Sequence, residues 1–188
     1  MTVTALIIIA LLALAFALFV FRAIPGIEAY LRLRGKRLVT CPETQKPAAV
    51  EVAAGEAAVG AFLTEPTLHL RECSRWPERE GCGQDCLQQI EVDPQKCLVW
   101  NIVAKWYEGK KCVFCHKPIA PLGRLDHPPA LLGPGFKTAE WEDVRPEELP
   151  EVFTTHQPVC WNCHIAENFR RLHPELVVHR EPDARRIH

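Results

Sequence analysis

Two short motifs carry most of the chemistry available to this chain: Cys112-Val113-Phe114-Cys115-His116 and Cys160-Trp161-Asn162-Cys163-His164. A CxxC pair holds two thiols close enough to grip one ion together, and two such pairs supply the four thiolates of a tetrahedral zinc site. The same letters spell CxxCH, the attachment site of c-type haem, in which two thioethers hold the porphyrin and the His binds iron. With only eight His in 188 residues, composition alone rarely places one after both pairs. His116 and His164 are therefore alternative haem ligands as well as neighbours of a zinc site. An iron–sulfur cluster or a redox dithiol would use the same cysteines, but the βαβ pattern of a thioredoxin-like dithiol is not present around them.

Three considerations favour metal over haem. Haem is attached to c-type cytochromes outside the cytoplasmic membrane, whereas the charges described below point this domain inward. The only Met is Met1, so a distal haem ligand would have to be a histidine such as His127, His156 or His173. Five further cysteines, Cys41, Cys73, Cys82, Cys86 and Cys97, have no place in a dihaem protein except as disulfides or free thiols, and an odd number cannot all pair internally.

The first pair leads into Lys117-Pro118-Ile119, as a tight knuckle turn does, and the second opens a helix whose N-terminal amides favour thiolate charge. A knuckle followed by a helix-borne CxxC resembles the treble-clef zinc fingers over residues 112–173. That resemblance implies a structural Zn²⁺ on Cys112, Cys115, Cys160 and Cys163. The 44 residues between the pairs exceed the compact form of that family, so its nucleic-acid binding is not carried over.

Cys73, Cys82, Cys86 and Cys97 crowd a second, 25-residue stretch around Trp76-Pro77 and Gly81 to Gly83. They suit a second zinc site or an iron–sulfur cluster in a reducing compartment, two disulfides in an oxidising one, or inert burial in a core. Cys41, in Cys41-Pro42-Glu43-Thr44, can complete or replace a ligand of that set.

The elements that position these residues begin with Val3 to Phe21, nineteen residues of which only Thr4 is polar. As a helix this run crosses about 30 Å of hydrocarbon. It is too long for a signal peptide, is preceded by no Lys or Arg, and lacks a small-residue exit, so it reads as a retained single span. Arg22, Arg32, Arg34, Lys36 and Arg37 follow with only Glu28 among them, while Leu38 to Phe169 holds twelve bases against nineteen acids. The positive-inside rule then places the N-terminus outside and the soluble part in the cytoplasm, and anionic headgroups would reinforce that placement. The haem reading would place the same domain in the periplasm.

Beyond the span, Leu38–Cys41 and Ala48–Ala53 alternate as a hairpin, and Thr67–Arg71 adds a strand leading to Cys73. Ala53–Gly60 is Ala-rich and weakly specified. Asp93 followed by Pro94 predicts a helix start and Gly109 a stop, giving a core helix over 94–108. Short strands fit Ala130–Leu132 and Thr138–Trp141, and Glu140–Glu151 reads as a solvated loop or one helical turn. Trp161, Ile165, Phe169 and Leu172 share a face of a second helix that starts at or before Cys163 and that Pro174 closes.

With 48% hydrophobic and 24% charged residues, disorder is excluded, and the length excludes a large catalytic barrel. The expected architecture is α+β: a single transmembrane helix followed by a small cysteine-rich, metal-stabilised domain with short strands and two main helices. Its regions are an anchor with basic juxtamembrane segment (1–37), a cysteine-rich part (38–109), a zinc-finger-like part (110–178) and a polar tail (179–188). No phosphate loop, GxSxG or HExxH occurs, and four thiolates leave no open metal position for Asp126, His127 or His156 to exploit, so no enzyme and no small-molecule substrate are expected. The basic residues Arg170, Arg171, Arg180, Arg185 and Arg186 read as solvated, and nucleic acid is not an expected partner. The function expected is a membrane-anchored protein binding one or two Zn²⁺, held by the bilayer through residues 3–21 and serving interaction or assembly with another membrane or membrane-associated protein. The alternative is an anchored electron carrier with two covalent c-type haems.

Overall fold

A computed structural model describes residues 3–63, 68–76, 78, 81–123 and 127–177; Thr67, Pro77, Asp126 and the 179–188 tail lie outside the described residues. The chain folds as two units that divide after Ile102.

The first unit begins with α1 (Val3–Leu33), one helix of 31 residues, so the apolar run continues without a break into the basic segment. Pro25 lies inside it and brings no amide hydrogen, which leaves the Phe21 carbonyl without its usual intrahelical donor. Among the described residues α1 is the one helix long and apolar enough to cross a membrane.

Three strands, β1 (Lys36–Thr40), β2 (Pro47–Val52) and β3 (Leu70–Cys73), form an antiparallel sheet in that order. Val39 stands opposite Ala48, and Val50 opposite Cys73. The period-two alternation turns Val39, Ala48, Val50 and Val52 onto a core shared with Leu33, Ala57, Leu70 and Ile90. The expected hairpin is therefore present, and the third strand starts at Leu70 and ends on Cys73.

Between β2 and β3 lies α2 (Ala54–Leu63), in the stretch whose sequence specifies little. Its small residues let it lie against α1: a Cβ on Gly26 would stand 2.9 Å from the Ala58 carbonyl oxygen. The Phe19 and Phe62 rings meet edge to face at 6.2 Å, and the Arg22 guanidinium donates to the Phe62 carbonyl at 3.4 Å.

The free edge of β1 is covered by side chain and loop. Gln89 of α3 (Leu87–Val92) accepts from the Thr40 amide at 3.0 Å and donates to the Thr40 carbonyl at 2.7 Å, and the Leu38 amide donates to the Cys97 carbonyl at 2.8 Å.

Arg37 points inward from β1 and is fully buried. Its guanidinium donates to the Pro94 carbonyl and, at 2.6 Å, to the Arg32 carbonyl in the last turn of α1, a helix end where positive charge is favoured. Burial pushes its pKa below the ordinary guanidinium value. Because Arg37 recruits the Pro94 carbonyl and Leu98 bridges to Arg37, residues 94–97 form a turn, and α4 (Val99–Tyr107) starts later than the Asp93-Pro94 signal predicts. Asp93 does cap, accepting from the Lys96 amide at 3.0 Å, but it caps this turn.

The second unit is built on the end of α4 and a sheet of β4 (Ala130–Leu132), β5 (Thr138–Ala139) and β6 (Gln157–Val159), ordered β5-β4-β6 and antiparallel throughout. The stretch read as a solvated loop holds 3₁₀ turns at Trp141–Asp143 and Pro146–Glu148, then α5 (Leu149–Thr155), which buries Leu149 and Val152. Tyr107, Trp106, Trp141 and Phe153 cluster, with Trp106 stacked on Phe153 at 5.3 Å. The Tyr107 hydroxyl donates to the Ala130 carbonyl at 2.7 Å and accepts from the Trp141 indole N–H at 3.1 Å, which locks α4 to β4. The last helix, α6 (Trp161–Leu172), starts one residue after β6.

Candidate metal centre

Cys112 lies just past α4, on a turn whose ends bridge at Lys111 and Pro118. The Cys112 amide donates to the Lys117 carbonyl at 3.0 Å and the His116 amide to the Cys112 carbonyl at 2.9 Å, so residues 112–117 fold back on themselves and turn both sulfurs to one side. His116 closes the turn with φ +58°, in the left-handed region. That conformation, which His adopts more readily than most residues, accounts for its place after Cys115.

The Val113 amide donates to the Pro158 carbonyl at 3.0 Å, tying the turn to β6. β6 delivers Cys160, which stands in extended backbone as the N-cap of α6, and the first turn of α6 delivers Cys163. The four sulfurs all lie within 4.8 Å of one another, and those of Cys115 and Cys160 are 3.8 Å apart. Four sulfurs at about 2.3 Å from a tetrahedral zinc would be separated by about 3.8 Å. Among the described residues this is the one group of Cys, His, Asp or Glu side chains converged to ligand distances. Cys112 is fully buried, and Ala130, Leu132 and Val159 form the apolar bed beneath the cluster.

Burial raises the pKa of each of these thiols where a shift is resolved. At Cys112 it is outweighed by hydrogen bonds from the Cys115, Cys160 and Phe114 backbone, which hold the thiol at about 6. Cys160 and Cys163 are pushed up by burial, Cys163 further by its three neighbouring sulfurs. The Cys112 sulfur is thus prepared as a thiolate while Cys160 and Cys163 resist ionising beside it; a divalent cation removes that resistance.

The two histidines take different places. His116 is exposed on its turn, whereas His164 is buried on α6, with Nε2 3.3 Å from a Glu140 carboxylate oxygen and 3.1 Å from the Asn168 amide nitrogen. Thr138 donates to the Asn168 carbonyl oxygen at 3.3 Å. Glu140, His164, Asn168 and Thr138 thus link α6 to β5, a connection that sequence spacing does not reveal. His127 stacks on Trp161 at 4.6 Å, beside Cys160 in sequence.

All nine cysteines are unpaired. Of the second expected set, Cys73 ends β3, Cys82 precedes the turn at Asp85, Cys86 caps α3 and Cys97 lies in the turn before α4. Cys97 donates to the Gln89 carbonyl at 3.6 Å, and the charged groups that act on it are Arg37, Asp93 and Lys96. No protein-family model, curated protein or solved structure matches the chain.

Proposed function

We propose that this is a single-pass membrane protein whose soluble part carries a structural Zn²⁺ on Cys112, Cys115, Cys160 and Cys163, and which serves interaction or assembly at the cytoplasmic face. The observation that carries the reading is the convergence of four thiols from two distant CxxC pairs to within 4.8 Å. The geometry suits a treble-clef-like module, a knuckle turn followed by a helix that begins on the second pair. Four protein ligands leave a zinc ion no open position, which favours a structural over a catalytic role.

The same convergence weighs against two c-type haems, since each porphyrin would need its own sulfur pair and a clear face for its His. His116 is instead the closing residue of a turn, and His164 is engaged by Glu140 and Asn168. The anchor is supported by the apolar length of α1, and the orientation by Arg22, Arg32, Arg34 and Lys36, all exposed. Arg37 belongs to the fold and not to the lipid-facing collar.

Elemental analysis of the full chain purified in detergent tests the reading. Zinc bound stoichiometrically, and lost from Cys112→Ser and Cys160→Ser, is expected; a haem-stained band surviving a denaturing gel overturns it.

A further inference from the structure

Residues 41–46 repeat, bond for bond, the turn that carries Cys112 and Cys115. At 112–117 the Cys112 amide donates to the Lys117 carbonyl at 3.0 Å, the His116 amide donates to the Cys112 carbonyl at 2.9 Å, and His116 has φ +58°. At 41–46 the Cys41 amide donates to the Lys46 carbonyl at 2.9 Å, the Gln45 amide donates to the Cys41 carbonyl at 2.8 Å, and Gln45 has φ +54°. A left-handed residue other than Gly costs about 1–2 kcal/mol, and both turns accept that cost at the same position. The likeness extends to the sulfur: Phe114 and Cys115 amides donate to Cys112, and Glu43 and Thr44 amides donate to Cys41. Thr44 stands where the first turn has Cys115.

A turn with one cysteine needs its other ligands from elsewhere, and the first unit brings three. Cys73 is held at the end of β3, where the Ser74 amide and hydroxyl exchange hydrogen bonds with Ala49 of β2, the amide donating at 2.8 Å and the hydroxyl accepting at 3.0 Å. The segment with Cys82 and Cys86 is pinned to the other end of β3 by Gln84, whose side-chain oxygen accepts from the Leu70 amide at 2.9 Å. Cys41, Cys73 and Cys97 all pack against the same core as buried Cys86, so packing alone does not choose among them. The sulfurs are electrostatic neighbours: Cys41, Cys73 and Cys82 all act on Cys86, and Cys41 and Cys82 act on Cys73. Cys97 instead donates to the Gln89 carbonyl at 3.6 Å, and the charged groups that act on it are Arg37, Asp93 and Lys96.

We propose that Cys41, Cys73, Cys82 and Cys86 form a second tetrathiolate site for Zn²⁺, built on the 41–46 turn, with Cys97 outside it. The site goes beyond the centre in the second unit and shares no residue with it. On binding, the four side chains rotate inward to the sulfur spacing already present around Cys112, the metal–sulfur bonds form, and the thiol protons pass to solvent.

The test is zinc stoichiometry of the full chain purified in detergent under reducing conditions. Two zinc ions per chain are expected in the parent protein and in Cys97→Ser, and one each in Cys41→Ser and Cys112→Ser. A single ion that Cys112→Ser removes and Cys41→Ser leaves in place overturns the second site while the first stands; a single ion that Cys41→Ser removes and Cys112→Ser leaves in place supports the second site and overturns the first. Measurements on the parent protein guard against a variant that fails to fold. Zinc X-ray absorption should give an all-sulfur shell of four at two ions per chain, and an unreduced intact mass lighter by the four hydrogens of two disulfides overturns the proposal.

Discussion

The sulfurs of Cys115 and Cys160, 45 residues apart in sequence, stand 3.8 Å from each other. That separation is far beyond the roughly 2.05 Å of a disulfide and matches one edge of a zinc tetrathiolate. The two residues come from different elements, a turn fixed to β6 and the cap of α6, so whatever joins their sulfurs also holds those elements together.

Metal removal should therefore unfold the second unit. Structural zinc supplies about 10–16 kcal/mol to small zinc-finger peptides, more than most domains have in reserve. A strong chelator is expected to abolish the near-ultraviolet dichroism of the Trp106, Trp141 and Tyr107 cluster, and added zinc to restore it. Retention of that signal in demonstrably metal-free protein contradicts a structural role.

His116 separates the zinc and haem readings at a single position. A Gly accepts φ +58° without the steric penalty carried by His. His116→Gly should leave zinc stoichiometry unchanged and alter stability by no more than about 1 kcal/mol in the stabilising direction, whereas the β-branched His116→Val should destabilise. Thermal unfolding measures both. A haem ligand at this position would instead show as a lost absorption band.

Tyr107 gives a pH signature. Burial pushes its phenol far above the ordinary tyrosine value, against a smaller opposing effect of the Trp141 hydrogen bond. The folded state thus favours the neutral phenol, so this contribution to stability is complete below about pH 10 and is lost as the pH rises further. Of the two tyrosines in the chain, Tyr107 should ionise only as the protein unfolds, seen as a step in the 295 nm absorbance coincident with loss of dichroism. Tyr107→Phe strands the Trp141 N–H and the Ala130 carbonyl and should cost about 1–3 kcal/mol.

Arg37 and the exposed bases of the collar should respond differently. Arg37→Met leaves the Pro94 and Arg32 carbonyls without donors and should destabilise the first unit by about 2–4 kcal/mol in denaturant titrations, with topology unchanged. Neutralising Arg22, Arg32, Arg34 and Lys36 together should leave the fold intact and weaken the orientation. A cytoplasmic reporter fused at His188 is expected to be active in the parent protein; an active periplasmic phosphatase at the same position shows the opposite orientation.

Sequence patterns captured what depends on local periodicity and spacing. The β1–β2 hairpin, β4, the start of α6 and the pairing of the two CxxC motifs were legible because alternation, an extended Cys160 and a closed turn are local. What was hidden depends on distant contacts. α2 has no polar face to betray it, because its Ala and Gly residues serve approach to α1. The late start of α4 follows from the claim of Arg37 on Pro94, 57 residues away. β6 contains Pro158, a weak strand signal tolerated because β6 is an edge strand and its carbonyl is the acceptor for Val113. Cys41 is separated by 31 residues of sequence from the next cysteine, and its hydrogen-bonded turn becomes visible only beside the turn at Cys112.

The close approach of Gly26 to Ala58 bears on mechanics. A helix joined to a sheet only through the chain can swivel at that joint; here α2 reaches back along α1 from Gly26 to Phe19 like a stay on a mast. The sheet that follows at Lys36 is thereby braced to the helix at two places, through α2 and through Arg37 on the Arg32 carbonyl. Tilt or axial rotation of α1 is then carried into the β1–β2–β3 sheet as rigid movement, and a bulkier residue at Gly26 would wedge the stay away from the mast and uncouple the two.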